Sequence, residues 1–158
     1  MAGITSAVPT SFKKELGTAT HNFGDVSTSP IGGHAFKFSL FKASVTGTYG
    51  AATTNYSDMT GNSDEATDTS SPQGYSAGGG TLTNVGMTTN STSGIADFAD
   101  LTFSAVTLSS DGALIYNSTQ SNKAFEVHSF GSTKSASGGD FVITMPAAAA
   151  GTAIFEIA

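Results

Sequence analysis

Neither cysteine nor tryptophan occurs in the 158 residues, and there is no arginine. The first absence excludes disulfides, thiolate metal sites and cysteine nucleophiles, and it leaves the redox compartment open, because a chain without thiols tolerates any. Without arginine, six lysines face twelve carboxylates, for a net charge of −6. A protein that neutralises phosphates needs the opposite balance, so no nucleic-acid partner is expected. Charged residues of either sign make up only 11% of the chain, against about 25% in an average soluble domain. Long hydrophobic runs are missing as well. No stretch nears the ~20 apolar residues of a membrane span, and the opening residues lack a basic region ahead of an apolar run. The expectation is a chain neither secreted by a visible signal nor inserted in a bilayer.

What the sequence does have is glycine, 19 residues of it, and serine and threonine in more than a quarter of its positions. Its apolar residues are Phe, Val, Ile and scattered Leu, set among Thr and Ser and broken by Gly. Strands and turns are made of such material, whereas periodic runs of helix formers are absent. The length suits one domain.

Residues 1–32 read as an N-terminal arm. Ile4, Val8, Phe12 and Leu16 fall four apart, as on a helix face, but Pro9 and the density of Thr and Ser argue for no more than one helical turn near residues 11–16. Two readings stay open: a segment packed on its own domain, or an arm lying on a neighbouring subunit. Ile4, Val8 and Phe12 are the candidate shell or subunit contacts under the second.

Residues 33–158 read as a β-sandwich domain. Phe36, Phe38 and Leu40 alternate with Lys37 and Ser39, a half-buried strand. Residues 43–80 hold few large hydrophobes and an acidic cluster, Asp64, Glu65 and Asp68, which predicts a long exposed loop. Strands follow near 81–87 and 95–103, the latter with a bulge near Asp100. After Val106 and Leu108 a turn is predicted at 109–112. Ala113, Leu114, Ile115 and Tyr116 form the most apolar run and read as a central strand, hairpinned to residues 124–130. Gly138, Gly139 and Asp140 predict another turn, before a strand at 141–145 stopped by Pro146 and a short one at 153–157. Seven or eight short strands are the pattern of an antiparallel sandwich, with the jelly roll among its arrangements.

The residues offer little chemistry. His21, His34 and His128 share no metal-ligand spacing, which leaves surface or half-buried roles, or a three-histidine cluster on a trimer axis. The acidic cluster lacks the pattern of an EF-hand, so a solvated loop is the better reading than calcium. Asp97 with Asp100 could pair as in glycosidases, yet tryptophan is absent and the Phe residues fall on core phases. No Gly-x-Ser-x-Gly elbow occurs, and Gly78, Gly79 and Gly80 lead into a strand, where a phosphate loop leads into a helix. The triplets at 90–92 and 117–119 match glycosylation acceptors by chance composition. No enzyme activity, metal or cofactor is expected.

The run from Asp111 to Asn117, with Asn122, Lys123 and Ala124, then Phe130 and Gly131, resembles a family of small tailed-bacteriophage virion proteins. So do Phe36 to Leu40, Tyr75 to Asn84, Asp97 to Asp100 and Gly139 to Pro146, and together the resemblance spans most of residues 33–158. Residues 55–75 are longer than that family's pattern. The resemblance implies a structural virion component, a capsid decoration (cement) protein on the capsid exterior, with the major capsid protein and itself, as a homotrimer, for partners. A phage tail, fibre or host-recognition component using the 43–80 loop is the alternative.

Overall fold

A computed structural model of the chain describes residues 3–24 and 33–158. Strands dominate and lie mainly in antiparallel sheets, an all-β fold as the composition predicts. The spine is a hairpin of two long strands, β7 (Leu101–Asn117) and β8 (Lys123–Ile143). On its other side, the C-terminal half of β7 pairs with β2 (Phe36–Lys42), whose far edge carries β4 (Gly80–Thr81), giving the order β4-β2-β7-β8.

Around residues 112–117 of β7 this sheet is buried on both faces, which explains why 113–116 are apolar without alternation. Phe36, Phe38, Leu40, Ala113, Ile115 and Phe125 point to one core; Phe41, Leu114, Tyr116, Ala124 and Val127 point to another. The first core is shared with a three-stranded sheet, β5 (Asn84–Asn90), β6 (Ser93–Phe98) and β9 (Phe155–Ile157), through Ala96, Phe98 and Phe155. The second is covered by Ile4 of β1 (Gly3–Ile4), Tyr49 of β3 (Thr48–Tyr49), which pairs with β1 in parallel, and Met59 of helix α2 (Tyr56–Gly61). Asn55 starts α2 with a capping box: its side chain accepts from Ser57 N–H, and Asp58 accepts from Asn55 N–H.

Two predicted turns are bulges instead. At 109–112 the register shifts between Ser110 and Gly112, but β7 runs on; at 138–140 β8 runs on past Gly138, which has φ +66°. Glycine supplies the positive φ of a bulge as readily as that of a turn, and composition does not distinguish the two. Gly112 also has a packing reason, since a Cβ there would lie 2.3 Å from the His128 carbonyl oxygen. The strand expected over 95–103 is two: β6 ends at Phe98 and β7 begins at Leu101 in the other sheet, with Asp100 accepting from Met145 N–H at 2.8 Å.

Of the expected arm at 1–32, residues 3–24 lie on the rest of the chain, while 1, 2 and 25–32 fall outside the described residues. Helix α1 (Thr10–Gly17) is eight residues long, more than the single turn expected. Phe12 is fully buried, with ring centroids 4.9 Å from Phe125 and 5.5 Å from Phe155. Ala7 exchanges backbone hydrogen bonds with Val127 on β8. Phe12 is therefore core and not an intermolecular contact, while Val8 and Ile4 are partly buried against the two cores. The intermolecular reading fails for Phe12 because its ring is packed among Phe23, Phe125 and Phe155 of the same chain.

Nor is 43–80 an exposed loop. Tyr49, Met59, Ala66 and Tyr75 are buried, and so are Asp64 and Asp68. Ala66 N–H donates to the Leu40 carbonyl and Thr69 N–H to the Thr107 carbonyl, so the segment runs beside β2 and the part of β7 that β2 leaves unpaired. Among the described residues, no helix is long and apolar enough to cross a membrane.

Replacing Phe12 by Ala removes the ring that joins α1 to the first core and is expected to cost about 3–5 kcal/mol. Urea unfolding of the two proteins measures it; unchanged stability would place Phe12 outside the core.

Candidate interaction surface

Three carboxylates organise the 43–80 segment. Asp64 accepts from Thr46 N–H at 2.9 Å, Gly47 N–H at 2.7 Å and the Tyr49 hydroxyl at 2.6 Å, and pairs with Lys42 at 2.9 Å. Asp68 accepts from the N–H groups of Ser70, Gly74, Tyr75 and Thr107 at 2.8–3.0 Å. Glu65 accepts from the hydroxyls of Ser39, Tyr75 and Tyr56 and from Gly78 N–H.

Burial pushes both aspartates up, but for Asp64 the Tyr49 hydroxyl, Thr46 and Gly47 N–H groups and Lys42 outweigh it, and for Asp68 the Thr107 and Ser70 N–H groups do. Both are held well below the usual carboxylate range. Burial raises Tyr49 to about 12, with Asp64 adding to the shift, and raises Tyr56 and Tyr75 further still. The tyrosines thus stay protonated and donate. The predicted solvated acidic cluster is in fact internal scaffolding, because backbone N–H groups left over by an irregular segment need acceptors, and carboxylates supply them.

The remaining candidates are dispersed. Asp97 accepts from Phe98 N–H and Asp100 from Met145 N–H. His128 is exposed and lies 3.7 Å from Glu126. His21 and His34, thirteen residues apart, both meet Asn117 at the end of β7, a meeting that spacing could not reveal. Among the described residues, no group of three or more His, Asp or Glu side chains is placed to hold a metal ion.

What the surface offers is apolar. Val142, on β8, is 58% exposed, and Val85, Met87 and Ile157 are exposed as well. A groove of about 490 Å³ is lined by Phe130, Phe141, Val142, Ile143, Met145 and Ile154, with His128, Lys134 and Asp140 among its polar residues. A second hollow, of about 420 Å³, runs between α1 and β9 and includes Val8, Leu16, Ile154 and Ile157; a third holds Ile4 beside Asp111 and Thr133. Ile4 and Val8 thus keep an outward side, unlike Phe12. Val142 was legible only as a hydrophobe on the polar phase of a strand whose inward phase is Phe141 and Ile143. The edge of β8 beside this groove carries small residues, Lys134 and bulges at Gly131 and Gly138, devices that discourage indiscriminate strand pairing.

Comparison with protein-family models, with curated proteins and with solved structures returns no match.

The Tyr75 hydroxyl receives Leu40 N–H at 3.0 Å and donates toward Glu65 at 2.8 Å. Tyr75→Phe leaves that buried N–H without an acceptor and is expected to cost about 1–3 kcal/mol. Denaturant unfolding, with proteolysis across 64–78, checks it; wild-type resistance would show the network to be dispensable.

Proposed function

We propose that this chain is a structural, non-catalytic virion protein that decorates and stabilises a bacteriophage capsid from outside, through oligomeric contacts with the major shell protein. One observation carries the reading beyond the resemblance: an internal acidic cluster is engaged by the chain itself, while four large apolar side chains outside the cores stand outward. Asp64, Glu65 and Asp68 are engaged with the chain's own donors, whereas Val85, Met87, Val142 and Ile157 face solvent on strands. Outward apolar residues on a braced β body suit a protein that works by association.

The segments that carry the resemblance are the structural ones. Residues 111–117, 122–124 and 130–131 lie in the spine hairpin or the turn that closes it, and 36–40 is in the strand beside it. In this reading, the four- and three-stranded sheets sharing a core are the layers of an antiparallel sandwich. A homotrimer would multiply weak contacts with the shell into firm attachment, so the modest apolar patches suffice.

The first test is copy number in purified particles, by quantitative mass spectrometry against the major shell protein. Decoration predicts about one copy per shell subunit, with particles that weaken when it is lost. A few dozen copies or fewer would move the protein to a tail or fibre. Val142→Lys tests the surface: stability should stay within about 0.5 kcal/mol of wild type, while binding to stripped particles falls. Full binding would exclude the groove beside β8 as a contact.

A further inference from the structure

Two histidines with the same constraint fasten the N-terminal segment to the closed end of the spine hairpin. The His21 side chain is fully buried, its ring 4.7 Å from that of Phe12. Its Nε2 lies 2.8 Å from a Glu15 carboxylate oxygen and its Nδ1 3.0 Å from Asn117 Nδ2. His34 brings its own Nδ1 to 2.9 Å from the same Asn117 nitrogen, and receives Asn22 N–H at 3.3 Å.

Asn117 is fully buried, and its side-chain oxygen accepts from Thr119 and Gln120 N–H, both at 3.1 Å. That fixes the amide: the NH2 group faces the two rings, one hydrogen for each. An NH2 group and a backbone N–H only donate, so both Nδ1 atoms accept. Both rings are therefore neutral, with the proton on Nε2, and that of His21 donates to Glu15.

A proton added at either Nδ1 meets a donor that cannot turn. Among the described residues, the charged groups facing the pair are Glu15 of α1, Lys123 of β8 and the other histidine. Glu15 favours a charge on His21, but Lys123 is paired with it, and burial prevails: both histidines lie below the ordinary value, His34 through burial and then the neighbouring His21. We propose that His21, His34 and Asn117 form an acid-sensitive latch, which holds α1 and residues 18–24 against the hairpin at neutral pH and releases them as the histidines protonate. Release uncovers an aromatic surface, since Phe12 and Phe23 lie on Phe36, Phe125 and Phe155.

The sign follows from linkage. Groups neutral when folded and protonated more readily when unfolded leave the latch complete above about pH 6.5 and weaken it as pH falls toward their folded values. Within that window the opening constant rises about tenfold per pH unit for each histidine. Asp64 and Asp68 contribute only below about pH 4, a separate stage.

The test is NMR on the full chain from about pH 7.5 to 5, following the histidine ring C–H signals and the amide exchange of residues 10–24, corrected for intrinsic rate. Two histidines should titrate below the free value, and α1 should lose protection before β7 and β8 do. Asn117→Asp places an acceptor before both rings at nearly unchanged shape, so there both titrations should move above the free value and acid should tighten the segment. Wild-type histidines titrating at or above the free value, unchanged α1 protection, or the same pH dependence in Asn117→Asp would each overturn the latch. Should that variant not fold, the wild-type titration alone decides.

Discussion

Everything in this fold hangs on the pairing of residues 112–117 of β7 with β2 on one side and β8 on the other. This short stretch is a middle strand covered on both faces, so each of its residues is buried and has a register partner on either side. Ala113 and Ile115 face the core that joins the two larger sheets, and Leu114 and Tyr116 face the core under β1, β3 and α2. The two cores are thus coupled through one strand, and the N-terminal segment reaches both: Phe12 enters the first and Ile4 the second.

Away from that centre, the chain's difficulty is polar. A sequence this rich in Gly, Ser and Thr makes irregular connections with unpaired backbone donors, and an unpaired buried N–H is costly. Asp64, Glu65, Asp68 and Asp100 each accept from segments distant in sequence, and Asn117 accepts from the turn that follows it. Two of the acidic residues, Asp64 and Asp68, are buried for this purpose, and the exterior, lightly charged because the sequence is, carries Val142, Met87, Val85 and Ile157. Internal bracing by carboxylates and four outward apolar side chains stand together in this fold. Asn117 shows the same economy in miniature, ordering a turn through its oxygen and two histidines through its nitrogen.

Local and pairwise signals were readable without coordinates. The class follows from composition, since β-branched and aromatic residues among Thr and Ser favour strands wherever glycine does not interrupt. The hairpin of residues 113–116 with 124–130 was legible because a continuous apolar run, a polar connection and period-two alternation after it follow one another locally, and Leu114 does lie opposite Val127. At most one helical turn near residues 11–16 was read from the spacing of the apolar positions, and the eight-residue helix α1 was hidden by Pro9 and the surrounding Thr and Ser.

Tertiary structure alone decided the rest. Whether Gly112 and Gly138 end a strand or bulge it depends on whether a partner strand continues beside them, which is non-local information. Whether Phe12 grips a neighbour or its own core depends on the space beside Phe125 and Phe155. Asp64 and Asp68 look like solvated charges in sequence because their donors, Tyr49 and Thr107, stand 15 and 39 residues away. Sequence by itself determined the material, all-β with few charges and no thiols, through the additive preferences of single residues. Only the folded chain determined which polar groups turn inward and which apolar ones stay outside, because hydrogen-bond satisfaction and packing are properties of residues brought together in space.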